Sequence, residues 1–184
     1  ADISFIVDQL YKVHSGKIKS QINAKIDLEM VAVGGHSYGG STATVASQQD
    51  NRIKACFVLD SWISPIPQET IDNGVHIPFL FMGRPTWTGS DYPGNYPRLD
   101  SLMVHSSNPK YRLIIKDTKH LDYSDIPLFS PIIGYVLDVG SNPAILTVSL
   151  INRLVHGFLL KHLLIKSNDI FDNAIENDLI YQIQ

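Results

Sequence analysis

Ser37 lies in VAVGGHSYGGSTA, residues 31–43, where an apolar run ends among four glycines grouped around one hydroxyl. Gly35-His36-Ser37-Tyr38-Gly39 fits G-x-S-x-G, directly after a buried-strand pattern and before a helix-compatible stretch, which is the context the motif requires. A serine used as a nucleophile must project from a sharp, strained strand-to-helix turn. Gly35 and Gly39 are expected to remove the Cβ atoms that would clash there, with Gly40, Ser41 and Ala43 keeping the following helix close to the sheet. A phosphate-cradling turn would instead carry G-x-G-x-x-G, which this stretch lacks. The chemistry this turn suggests is acyl transfer.

A serine hydroxyl is a weak nucleophile and needs a histidine base and an orienting carboxylate, which follow in the chain order Ser, Asp or Glu, His in folds with this turn. Seven histidines are present. His14 precedes the serine, His36 is expected to point away from its neighbour, and His156 and His162 fall in a long apolar helix. His76 precedes a strand and His105 belongs to a helical stretch. His120, in the polar loop KDTKHLDYSD after the last apolar run, is the expected base. For the acid, Asp60 ends the apolar run CFVLD, so its carboxylate should emerge at the same sheet edge as Ser37. Asp91, in TGSDYP, is the rival because many enzymes with this turn take the acid after the next strand. Asp117, Asp122 and Asp125 neighbour His120 but suit a solvated loop.

The elements that must position these groups are legible as apolar runs. MVAVGG (30–35), ACFVLD (55–60), PFLFMG (78–83) and YRLIIK (111–116) are nearly continuous, as parallel strands buried on both faces are. Helical stretches over 38–49 and 98–107 alternate with them, predicting an α/β fold with a mostly parallel sheet flanked by helices. Ile3, Ile6, Val7, Leu10 and Val13 recur at helical spacing, so the chain opens in or just before an amphipathic helix of about 12 residues. Asn142 as cap and Pro143 at the first helical position are expected to start a long helix through Leu164. No internal repeat or domain boundary is visible.

Bulk properties narrow the function. The 184 residues suit one domain, with 44% hydrophobic and 18% charged composition. A net charge of -3 and scattered Lys and Arg offer nucleic acid no electrostatic footprint. The single cysteine, Cys56, lies in an apolar run and reads as a small buried hydrophobe, which leaves the compartment open. No apolar run approaches the roughly 18 residues of a membrane span. The chain begins ADISFIVDQL without methionine or a signal pattern, so the natural N-terminus is expected to be missing. Secreted and cytoplasmic locations both fit.

GGHSYGG, FVLDSW followed by Pro65, IPFLFM and His120 in its loop together resemble the platelet-activating-factor acetylhydrolases of the α/β-hydrolase superfamily, a family that includes the lipoprotein-associated phospholipase. In that family the acid follows the strand after the nucleophile, so the resemblance implies Asp60 over Asp91. Bacterial polyesterases and dienelactone hydrolases share the turn but generally place the acid later. The resemblance implies calcium-independent hydrolysis of short or oxidised sn-2 acyl groups of phospholipids, with no cofactor and no metal. It covers the C-terminal portion of a single α/β-hydrolase domain, residues 1–184. The family's N-terminal strands and second oxyanion donor are expected on an absent part of the fold; a lone donor matters, since losing one costs about 2.7–4 kcal/mol in the transition state. The Tyr38 amide is the one donor assignable here. Trp62 and Trp87 are candidate walls of the acyl pocket. Ile132, Ile133, Tyr135, Val136 and Leu137, in SPIIGYVLDVG, correspond to an interfacial helix of the family and are candidates for contact with a lipid or lipoprotein surface; an apolar core stripe is the alternative. The competing readings are a general carboxylesterase or polyesterase of the same fold, and a catalytically inactive fragment or binding module.

Overall fold

A computed structural model of the chain describes residues 2–87, 92, 94–130, 132–164, 169–176 and 178–183. Helix α1 (Asp2–His14) and a long connector lead to strand β1 (Val31–His36), helix α2 (Tyr38–Gln49), strand β2 (Ile53–Leu59) and helix α3 (Gln68–Asn73). Strand β3 (Phe79–Gly83), helix α4 (Asn95–His105) and strand β4 (Lys110–Ile115) follow. Short 3-10 turns then lead to helices α5 (Ala144–Leu163) and α6 (Asp169–Ile175) and strand β5 (Ile180–Ile183). The sheet runs β1-β2-β3-β4-β5, with the first four strands parallel and β5 antiparallel to β4.

The near-continuous apolar runs have a simple cause: helices cover both sheet faces, and alternate residues of each strand enter different cores. Cys56, Val58, Phe79, Phe81 and Ile114 pack with Ala43, Leu99 and Leu102 under α2 to α4. Leu80, Met82, Leu113 and Ile115 pack with Leu154, Phe158 and Phe171 under α5 and α6. Cys56 is fully buried, and burial pushes its thiol up to about 12, so it acts as packing and not as a nucleophile.

Several boundaries differ from the sequence reading. Pro143 is the cap residue of α5 and not its first helical residue, while the Asn142 side chain donates to the Lys116 carbonyl at 2.6 Å instead of capping the helix. Helix α4 starts at Asn95, before Pro97, because a proline in the first helical turn surrenders no intrahelical bond. The 20 residues of α5 have the length and mean hydropathy of a membrane span, contrary to the expectation that nothing approached one. Leu154 and Phe158 are nevertheless fully buried against the sheet, and Asn152, Arg153 and His156 interrupt the outer face. Helices α3 and α6 and strand β5 are short and carried no distinct pattern.

Candidate active site

Ser37, Asp60, Arg84 and His120 follow the carboxyl ends of β1, β2, β3 and β4 respectively, the edge at which open parallel sheets gather their sites. The register sets the alignment. His36 pairs with Leu59 and Leu59 with Met82, so Ser37 and Asp60 leave neighbouring strands at one level.

Ser37 has φ 58° and ψ −125°, a strained left-handed backbone for a residue bearing a Cβ. Its amide donates to the Leu59 carbonyl at 3.0 Å, and its carbonyl accepts from the amides of Gly40 and Trp62, each at 3.1 Å. The flanking glycines divide the work differently from the sequence expectation. A Cβ on Gly35 would lie 2.4 Å from the Gly39 carbonyl carbon and oxygen, and one on Gly40 would lie 2.6 Å from Ser61 Oγ. A Cβ on Gly39 would meet open space, so Gly39 itself avoids no such clash. The Tyr38 amide opens α2 and belongs to the helix's N-terminal donors that have no intrahelical acceptor.

The structure brings Ser37, His120 and Asp60 into one chain of hydrogen bonds. His120 Nε2 lies 2.9 Å from Ser37 Oγ, and His120 Nδ1 lies 2.6 Å from Asp60 Oδ2. Since a carboxylate accepts, Nδ1 carries the proton and Nε2 is free to receive the serine's. Asp60 is fully buried and has positive φ, 39°. Its Oδ1 accepts from the Trp87 indole at 3.1 Å and from the Arg84 amide at 3.2 Å. Arg84 Nε stands 3.2 Å from Oδ2 as an ion pair. Asp91, the rival acid, lies outside the described residues.

The His120 loop is tied down by groups the sequence reading treated as solvated. Asp122 is buried, and its Oδ2 accepts from the amides of Lys119 at 2.7 Å and Gly140 at 2.6 Å. Burial raises this carboxyl above its ordinary range despite both donors. His36 also belongs to the site, against expectation. Its Nε2 donates to the His120 carbonyl at 3.0 Å, the two rings lie 4.5 Å apart, and burial, then His120, lowers its pKa from the ordinary 6.5. Buried Asn95 fixes the loop after β2, accepting from the Ile63 amide at 2.6 Å and donating to the Ser61 carbonyl at 3.1 Å.

Trp62 and Trp87, the expected pocket walls, are joined by Tyr92, which packs edge-on to both at 4.9 and 5.4 Å. Tyr38 lies 6.1 Å from Trp62, and Trp87 lies 5.5 Å from His120, so an aromatic wall passes beside the serine and its base. The 132–137 stretch is no helix face. Apart from a 3-10 turn at Ile133–Tyr135 it is irregular, and Ile132, Tyr135, Val136 and Leu137 are exposed while Ile133 is half-buried. Sequence reasoning missed His36, Arg84, Tyr92, Asn95 and Asp122. The glycine-flanked position of His36 and the placement of Arg84 directly after an apolar strand were the available signals.

The fold is that of the α/β-hydrolases. All of this chain superposes on 53% of a ferulic acid esterase from Streptomyces cinnamoneus with a TM-score of 0.78 and 19% sequence identity. Residues 6–179 match the family described as platelet-activating factor acetylhydrolase, isoform II, and the chain belongs to that family. It is 30% identical to the platelet-activating factor acetylhydrolase of Bos taurus over 164 residues, 86% of this chain and 35% of that protein. The Canis lupus familiaris protein of the same name is 30% identical over 163 residues, and hydrolase phmG of Phaeosphaeria nodorum is 36% identical over 92. The chain thus spans about a third of the length of the curated acetylhydrolases it matches.

Proposed function

We propose that the protein is a serine-dependent carboxylic-ester hydrolase acting on short or oxidised sn-2 acyl groups of phospholipids such as platelet-activating factor. The observation that carries this reading is the hydrogen-bonded series Ser37–His120–Asp60 at the carboxyl edge of a family-matched sheet. Ser37 Oγ attacks the ester carbonyl while His120 Nε2 takes its proton. The Tyr38 amide stabilises the tetrahedral oxyanion together with a second donor expected from an upstream part of the fold. The C–O bond to the glycerol breaks as His120 returns the proton to the leaving alcohol. Water, deprotonated by His120, then attacks the acyl-serine and releases the carboxylic acid. Asp60 holds His120 in the tautomer that keeps Nε2 free. Trp62 and Trp87 line the acyl side. Exposed Ile132, Tyr135, Val136 and Leu137, with half-buried Ile133 beside them, dip into a lipid or lipoprotein surface, the aromatic ring at headgroup level.

A second reading, a general carboxylesterase, is favoured by the aromatic wall, which suits small planar acyl groups as well as short aliphatic ones. Fluorophosphonate labelling and hydrolysis assays of the full-length protein and Ser37→Ala test the nucleophile. Labelling is expected to vanish in the variant, and unchanged labelling overturns the assignment. A short sn-2 phospholipid hydrolysed no better than an aryl acetate would favour the second reading.

A further inference from the structure

The acid of the proposed triad has a permanently cationic neighbour besides the imidazole that it orients. Asp60 Oδ2 accepts from His120 Nδ1 at 2.6 Å and forms an ion pair with Arg84 Nε at 3.2 Å, a charge contact without a hydrogen bond. Arg84 is held there by its whole surroundings. Its amide donates to Asp60 Oδ1, its carbonyl accepts from the Tyr96 hydroxyl, and its guanidinium lies 4.1 Å over the Trp87 ring, whose indole N–H donates to the same carboxylate. The side chain is only 18% exposed, unlike an arginine that merely decorates a loop. From this geometry we infer that Arg84 is a positioning residue that supplies a permanent counter-charge to Asp60 and extends the action of His120 as a base toward lower pH.

The electrostatics give the direction. A buried carboxylate beside a neutral imidazole would be an uncompensated charge, which is costly. Arg84 answers that charge before any proton moves. The same guanidinium then competes for Oδ2 when His120 becomes imidazolium, so the protonated base gains less from Asp60 than it would in a simple dyad. The other ionisable groups around the pair do not supply this effect. His36, from β1, has its pKa lowered by burial; Tyr96 of α4 and Tyr123 of the His120 loop are pushed upward by burial and stay neutral. Arg112 pairs with Asp100, and Asp122 is occupied by two backbone amides. Among the described residues, Arg84 is therefore the permanent cation that sits directly on the acid.

This inference rests on the proposed esterase reading, and its test separates the two. The pH dependence of kcat/KM is measured on the full-length protein with an uncharged aryl acetate, for the parent, Arg84→Met and Arg84→Lys, with Ser37→Ala as control. The acid limb of Arg84→Met is expected to move to higher pH by about one unit, the lower end of what a charge within 4–6 Å produces. Arg84→Lys, which keeps the charge, should bring the limb most of the way back. The downfield proton resonance of the His120–Asp60 hydrogen bond is expected to move in Arg84→Met and return in Arg84→Lys. A limb that stays in place while activity falls equally at every pH would reduce Arg84 to packing and overturn the inference. If Arg84→Met does not fold, an acid limb in Arg84→Gln that matches the parent overturns it equally. Persistent labelling of Ser37→Ala instead removes the esterase reading itself.

Discussion

A carboxylate with no exposed surface must have its charge answered, and Asp60 is answered by His120, Trp87 and Arg84 together. Replacing it by Asn would keep the shape but let the side chain donate where it must accept. His120 would then favour the tautomer with its proton on Nε2, facing Ser37. Asp60→Asn is expected to lower kcat for a short ester about 10³–10⁴-fold while the circular dichroism spectrum stays unchanged. Asp91→Asn should stay near the parent rate; the opposite ranking in the same assay would transfer the acid to Asp91. His36 supports a second expectation. Its folded pKa lies below the ordinary 6.5, so the unfolded chain binds a proton that the folded chain resists, and stability falls as pH drops below about 6.5. His162 is lowered by burial in the same sense. In His36→Gln, which retains a donor toward the His120 carbonyl, the difference in urea midpoint between about pH 7.5 and pH 5.5 should shrink.

At the scale of elements, the nucleophile turn depends on how closely α2 returns to β1. Gly35→Ala would place its Cβ against the Gly39 carbonyl, and the helix would have to move, at about 1–3 kcal/mol of unfolding free energy. Gly39→Ala points into open space and should change stability by no more than about 1 kcal/mol. Equal losses in chemical denaturation would contradict this division. The His120 loop depends on Asp122 in a comparable way. Asp122→Ala takes the acceptor from the part-buried Lys119 and Gly140 amides and should cost at least about 1 kcal/mol, and less than the about 2–6 that two fully buried donors would lose at about 1–3 each. The base would lose its placement with the loop, so kcat should fall more than KM rises.

At the scale of the whole molecule, four parallel strands bring together residues separated by 83 positions along the chain. The sheet is also why the strands could be read so readily. Helices on both faces demand apolar residues at successive positions, so β1 to β4 announce themselves as unbroken runs. The opposite holds for β5, a four-residue antiparallel strand added at the β4 edge, and for α3 and α6, which are too short to show a helical period. Helix α5 illustrates a further limit. Its apolar composition fits a membrane as well as a core, and only its packing on β2 and the loop after β4 shows that Leu154 and Phe158 face the sheet.

The residue types themselves determined the serine turn, the α/β alternation, the base to be tested and two candidate acids, Asp60 and Asp91, between which the family resemblance implied Asp60. A glycine-flanked serine after a buried strand has few other uses, and a charge ending an apolar strand must meet a partner. Tertiary structure decided which partners those groups have. That Asp60 shares one oxygen between His120 and Arg84, that His36 turns toward the base, and that Asp122 holds the loop follow from strand register and from side-chain reach across distant segments. Neither is encoded in spacing along the chain, because contacts across a parallel sheet join residues whose sequence separation is set by the crossover connections between them.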